Sequence, residues 1–176
     1  MSVILSKKQM SVFAEALAEQ EAAATQPKVC LVADSPNLAR SVESVYGKGA
    51  RPDLAAVLDI GRRYGVVHEA TIVANPGLPS PIANHFEGLG YTVDRGLGPD
   101  CDDRVISKCV RAGLVADTLV CMGGDHCMVD VIRLVKLQRR PVKVVVIGVR
   151  ETTASCLRDS CDEFINLPVI SNAVAA

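Results

Sequence analysis

Along most of its length the chain alternates short, unbroken runs of aliphatic and β-branched residues with longer segments of helical spacing. Lys28-Val29-Cys30-Leu31-Val32-Ala33, Thr118-Leu119-Val120-Cys121-Met122 and the run Lys143–Gly148 have no regularly recurring polar position that would mark a solvent face. Each therefore reads as a strand covered on both sides. Buried strands separated by helices imply parallel pairing through crossovers, and so an α/β three-layer sandwich around a central, mostly parallel sheet. A chain of 176 residues is long enough for one such domain with its own core. No internal repeat and no composition break divides it.

The elements follow from the same patterning. Residues 6–24 predict a first helix: Ser6 and Gln9 match a capping box, and Met10, Phe13, Ala14 and Leu17 recur at helical spacing. Pro27 closes this segment (1–26), which reads as a packing arm or an oligomer contact. The domain proper covers 27–170 and a short tail 171–176. Within it, strand 28–33 leads into a helix through Leu38, Val42 and Val45, with Ser35-Pro36 at its start. A second helix covers 53–60 and a second strand 66–74, turned by Asn75-Pro76-Gly77. A short helix 82–89 and a short strand 91–93 follow. Helix 102–112, with Val105, Ile106, Cys109 and Val110 on one side, stops at Gly113. Strand 118–122, helix 127–139, strand 143–148, helix 153–161 and strand 164–167 complete the chain.

In an open parallel sheet, ligands bind just past the carboxyl ends of the strands, and two of the apolar runs end there in acidic turns. The first passes into Asp34-Ser35-Pro36-Asn37-Leu38. The second passes into Gly123-Gly124-Asp125-His126. Asp34 reads either as a helix cap or as a carboxylate aimed into the crevice, with Asn37 one turn on as its polar support. Asp125 carries the same alternatives, behind two glycines that allow close backbone approach. A third acidic turn, Asp100-Cys101-Asp102-Asp103, opens helix 102–112. Its charges suit the helix dipole, or one of them, Asp103 before Asp102, completes a metal site. Arg104, Lys108 and Arg111 then form a basic stripe that is either exposed or holds phosphate. His126 reads as a turn residue or as a phosphate contact.

Composition removes other classes. Aromatic residues are 3% and tryptophan is absent, which argues against base-stacking platforms. A net charge of −1 gives no general pull toward polyanions, and the basic run Arg133, Lys136, Arg139, Arg140 and Lys143 reads as a solvated helix face. Gly96-Leu97-Gly98 does not continue as GxGxxG, and no phosphate-binding loop or GxSxG elbow occurs. Cysteines at 30, 101, 109, 121, 127, 156 and 161 lack CxxC spacing. They predict buried thiols in a reducing, cytoplasmic setting, and no apolar run is long enough to span a membrane.

In order along the chain, the turn Asp34-x-x-Asn37-Leu38, the acidic start at 102–103, the turn Gly124-Asp125 and the closing run Ser155–Leu167 resemble the NYN domains. These are the LabA-like branch of the PIN-domain-like ribonucleases. The resemblance covers roughly residues 28–168 and implies a PIN-like fold. It further implies hydrolysis of phosphodiester bonds in RNA, with single-stranded RNA the expected partner, and Mg²⁺ or Mn²⁺ held by Asp34, Asp103 (or Asp102) and Asp125. Asn37, Arg104, Lys108 and His126 would contact substrate, and a homodimer through residues 1–26 is compatible. The chain departs from the family pattern at Ser35, at Gly123 and above all at Cys127, which stands in the place of a second aspartate. Loss of that carboxylate weakens a site for a hard cation. The alternative is therefore a degenerate module that binds RNA or a protein without cutting.

Overall fold

The computed structural model describes residues 25–97, 101–138 and 140–171, together with Met10 and Val12. The helix predicted over 6–24 lies outside the described residues except at those two positions. In chain order the elements are β1 (Lys28–Asp34), α1 (Ser35–Tyr46), β2 (Arg51–Pro52), α2 (Leu54–Arg62), β3 (Val66–Val73), α3 (Ser80–Gly88) and β4 (Thr92–Asp94). There follow α4 (Asp102–Gly113), β5 (Thr118–Met122), α5 (Met128–Lys136), β6 (Lys143–Gly148), α6 (Ser155–Ser160), β7 (Glu163–Asn166) and β8 (Val169–Ile170).

Six strands form one sheet in the order β4-β3-β1-β5-β6-β7, and every neighbouring pair runs parallel. The three-layer α/β expectation holds. Side-chain alternation sends Val29, Leu31 and Ala33 of β1 into one core layer, with Leu38, Val42, Leu54 and Val57 of α1 and α2. Cys30 and Val32 enter the opposite layer, with Val105 and Cys109 of α4, Val131 and Ile132 of α5 and Leu157 of α6. β5 and β6 divide their residues between the two layers in the same way. That is why these three strands show no polar positions across their middles: each face is packed under helices.

The clearest departures from expectation are the β2–β8 ladder and the end of α5. β2 and β8 pair antiparallel as a two-residue ladder beside the main sheet, a contact between distant residues with no local signature. Helix α5 ends at Lys136 rather than 139, because Leu137 is 80% exposed and anchors no further turn. Cys30, Cys101, Cys109 and Cys121 are buried free thiols, as predicted, while Cys156 is exposed. Among the described residues, no helix is long and apolar enough to cross a membrane.

Strand order reverses at β1. The chain moves outward from β1 to β3 and β4, then returns through α4 to place β5 on the other side of β1. Such a reversal opens a crevice above the carboxyl ends of the two central strands. Asp34 ends β1, Gly123 follows the end of β5, and α4, which follows β4, starts at the same end of the sheet.

Candidate metal centre at the strand reversal

Asp34 is 5% exposed and serves as the N-cap of α1, its Oδ1 accepting from the backbone N–H of Asn37 at 3.0 Å. The cap fixes the carboxyl at the carboxyl end of β1. Burial pushes the Asp34 carboxyl above its ordinary value. The Asn37 N–H and the charge of Arg40 oppose that shift, and the fields of Asp102 and Asp125 add to it.

Asn37 ties the two central strands together at this point. Its Oδ1 accepts from the backbone N–H of Gly124 at 2.9 Å, and its Nδ2 lies 3.5 Å from Asp125 Oδ2. Asp125 also accepts from the His126 N–H at 3.0 Å. The His126 ring is 83% exposed, with Nδ1 3.2 Å from Asp125 Oδ1. The glycines before Asp125 are needed for close packing, as expected. A Cβ on Gly124 would lie 3.2 Å from Thr153 Cα and Oγ1. Beneath them, a Cβ on Gly148 would lie 2.5 Å from Thr153 Oγ1 and 2.9 Å from Gly123 O. Thr153, buried and donating to Val149 O at 2.7 Å, is a support for this loop that sequence reasoning did not single out.

The third acid is Asp102, not the preferred Asp103. One carboxylate oxygen each from Asp102 and Asp125 and the Sγ of Cys127 lie within 4.8 Å of one another. Neither Asp34 nor Asp103 is part of this group. For Asp103 the reason is helical phase. Val105, Cys109 and Ala112 are the buried positions of α4, and Asp102 continues their 3-4-3 spacing back to the first turn, whereas Asp103 is turned about 100° away. Cys127 is pushed up to about 11 by burial and then by Asp125, Asp102 and Asp34. The four side chains therefore share one electrostatic environment.

Two residues of the basic stripe, Arg104 and Lys108, face Asp94. Arg104 donates to Asp94 Oδ1 at 2.9 Å, to Asp94 O at 3.2 Å and to Ala74 O at 2.7 Å. Lys108 Nζ lies 3.4 Å from Asp94 Oδ2. Burial raises the Asp94 carboxyl, but the Arg104 hydrogen bond and the Lys108 charge outweigh it and hold the group below its usual value. Cys101 Sγ lies 3.1 Å from Asn75 Oδ1 and 3.4 Å from Arg104 Nη2. Arg104 and Cys101 thus brace the start of α4 against the ends of β3 and β4, and that brace sets the position of Asp102. Arg104 and Lys108, expected at a substrate phosphate, both face Asp94 here. The second basic run is also locally neutralised, with Arg133, Lys136, Arg140 and Lys143 each paired to an acid.

No family model and no curated protein matches the chain. Among solved structures it is similar to the crystal structure of a protein of unknown function from Vibrio parahaemolyticus, with a TM-score of 0.72 and 18% identity over 80% of this chain and 93% of that one. At that identity the likeness shows the shared fold.

Proposed function

We propose that the domain is a divalent-metal-dependent ribonuclease of the NYN type, hydrolysing phosphodiester bonds in single-stranded RNA. The observation that carries this reading is the compact group of Asp102, Asp125 and Cys127 above the strand reversal, to which Asn37 links the helix-capping Asp34. Carboxylate oxygens suit Mg²⁺ or Mn²⁺, and the trio of Asp102, Asp125 and Cys127 is compact enough to surround one ion. Asp102 and Asp125 would hold it, with Asp34 beside them. A bound divalent ion supplies Lewis acidity and a more acidic water. The protein's own part is positional: Asn37 fixes Asp125 against Gly124, and the exposed His126 stands at the rim, where it can meet a substrate phosphate. A reducing, cytoplasmic location fits the buried thiols. The test is Mn²⁺-dependent cleavage of single-stranded RNA by wild type, Asp34→Asn and Asp125→Asn. The variants are expected to lose cleavage, and equal rates in all three would overturn the assignment.

Cys127 favours a second reading, a module that binds RNA without cutting it, because a thiol stands among the ligands where a further carboxylate is expected. Retained RNA binding by wild type, with no cleavage in Mg²⁺ or Mn²⁺ and no detectable ion uptake, would select it.

A further inference from the structure

We propose that the apolar strip where α4 and α5 end is the docking surface for residues 6–24 of a second copy of this chain, in a reciprocal homodimer. This does not rest on the metal-site reading. The two helices close on each other at their carboxyl ends, where a Cβ on Gly113 would lie 2.9 Å from Val135 Cγ2 and 3.3 Å from Gln138 Nε2. Leu114 follows that contact on α4, off the buried row of Val105, Cys109 and Ala112. On α5, Leu134 precedes Gln138 by one turn and so shares its flank. The opposite flank of α5 turns to α6, where Lys136 donates to Ser160 O and Asp162 Oδ1. Leu114, Leu134 and Leu137 are 64%, 48% and 80% exposed, and Val115 is exposed beside them. Single exposed aliphatics are ordinary, but four gathered at one end of a helix pair mark an interaction surface.

The occupant is indicated by the chain that enters beside the strip. Lys28 O accepts from the Asp117 N–H at 2.8 Å, and the Lys28 N–H donates to Asp117 Oδ2 at 2.7 Å. Residues ahead of β1 therefore arrive next to the turn that follows Leu114 and Val115. That segment carries Met10, Phe13, Ala14 and Leu17 at helical spacing, an apolar stripe in need of a partner. Met10 is 54% exposed while the strip is also open, so within one chain Met10 and the strip are both uncovered. Two copies about a two-fold axis cover both at once, each setting its segment on the other's strip. A helix over 6–24 spans about 28 Å, enough to cross the ends of α4 and α5. Charge favours the match: the segment bears Glu15, Glu19 and Glu21, while exposed Arg111 and Arg133 stand one turn before Leu114 and Leu137.

The experiment is light scattering after size exclusion on the full chain, for wild type, Leu134→Glu/Leu137→Glu, Phe13→Glu/Leu17→Glu and Leu97→Glu. Leu97 is exposed on another loop and serves as the control. Wild type and Leu97→Glu are expected at twice the chain mass. Both double variants are expected at half that, with unchanged far-ultraviolet circular dichroism. Mixing the two double variants restores one of the two contacts, so a heterodimer should form although neither variant pairs with itself. A monomeric wild type overturns the proposal, including the case where the segment covers the strip of its own chain. A dimer that survives Phe13→Glu/Leu17→Glu, as strip-to-strip pairing would, overturns the occupant. One that survives Leu134→Glu/Leu137→Glu overturns the surface.

Discussion

Replacing Asn37 tests whether the two halves of the crevice are held together as described. Asn37→Ala removes the acceptor of the Gly124 N–H, a 2.9 Å bond, and the longer 3.5 Å contact to Asp125. Leaving one part-buried backbone donor without its partner costs about 1–3 kcal/mol. The second contact, at the edge of hydrogen-bond range, adds little. Alanine is a better helix former at this position and returns up to about 0.7 kcal/mol. The expected net loss is therefore about 1–2 kcal/mol, or a fall in Tm of about 2–8 °C for a domain of this size. Asn37→Asp separates the latch from simple packing. It keeps an acceptor for Gly124 but sets a carboxylate oxygen where an amide faced Asp125. Like charges 3.5 Å apart repel by about 1 kcal/mol in bulk water and about 5 at an effective dielectric constant of 20. Asp125 is 37% exposed, so the penalty lies toward the lower figure. Urea denaturation at neutral pH, with and without Mn²⁺, reads both variants. Asn37→Asp should be destabilised without the ion and should gain more from Mn²⁺ than wild type does. An Asn37→Asp protein as stable as wild type and indifferent to Mn²⁺ would refute the described closeness of these groups.

Three further outcomes follow from the same geometry. The folded-state pKa of Asp34 is raised, first by burial and then by its acidic neighbours. Ionised Asp34 thus costs stability, and wild type loses stability as pH rises from the ordinary carboxylate range through the folded value. Asn caps helices as well as Asp. Asp34→Asn should therefore raise the urea midpoint at pH 7, with the gain closing below about pH 4; a gain independent of pH counts against the cause given. Gly148→Ala drives a methyl to 2.5 Å from Thr153 Oγ1 and should cost about 1–3 kcal/mol, with Thr153→Ala partly rescuing it in a double-mutant cycle. Arg104→Ala should cost about 2–3 kcal/mol through its charged hydrogen bonds. It should also flatten the loss of stability seen on acidification, because Asp94 contributes above the ordinary carboxylate pKa and stops contributing as pH falls through its lowered folded value.

What was legible in the sequence follows from how each element is buried. Strands 118–122 and 143–148 have the predicted bounds because both faces are covered, so the apolar run and the strand coincide. Helix ends were harder to place: Leu134 and Leu137 extend the apolar pattern of α5 but are 48% and 80% exposed. The β2–β8 ladder joins Arg51 to Ile170 and Pro52 to Val169, too short and too distant a pairing for any window of sequence to signal. The choice of Asp103 over Asp102 had a readable remedy in the 102-105-109-112 spacing. The engagement of Arg104 and Lys108 had none, because Asp94 lies on another strand and reaches them only through the return from β4 to β5.

The contrast between the acids at the reversal and those elsewhere ties stability to function. Asp94 is held below its usual value between Arg104 and Lys108, and Asp162 and Glu163 are likewise lowered beside lysines. Those carboxylates stabilise the fold where they stand. Asp34 is shifted the other way, first by its burial at the end of β1. A residue chosen for stability alone would be Asn, which caps α1 equally well and carries no charge to bury. On the proposed metal-site reading, the charge of Asp34 acts with a bound cation. A divalent ion at Asp102 and Asp125 should raise the wild-type midpoint more than that of Asp34→Asn and so narrow or reverse the variant's advantage, by the linkage of binding to folding. If saturating Mn²⁺ and Zn²⁺ each leave the difference between the two proteins unchanged, the charge of Asp34 is not coupled to an ion in this crevice.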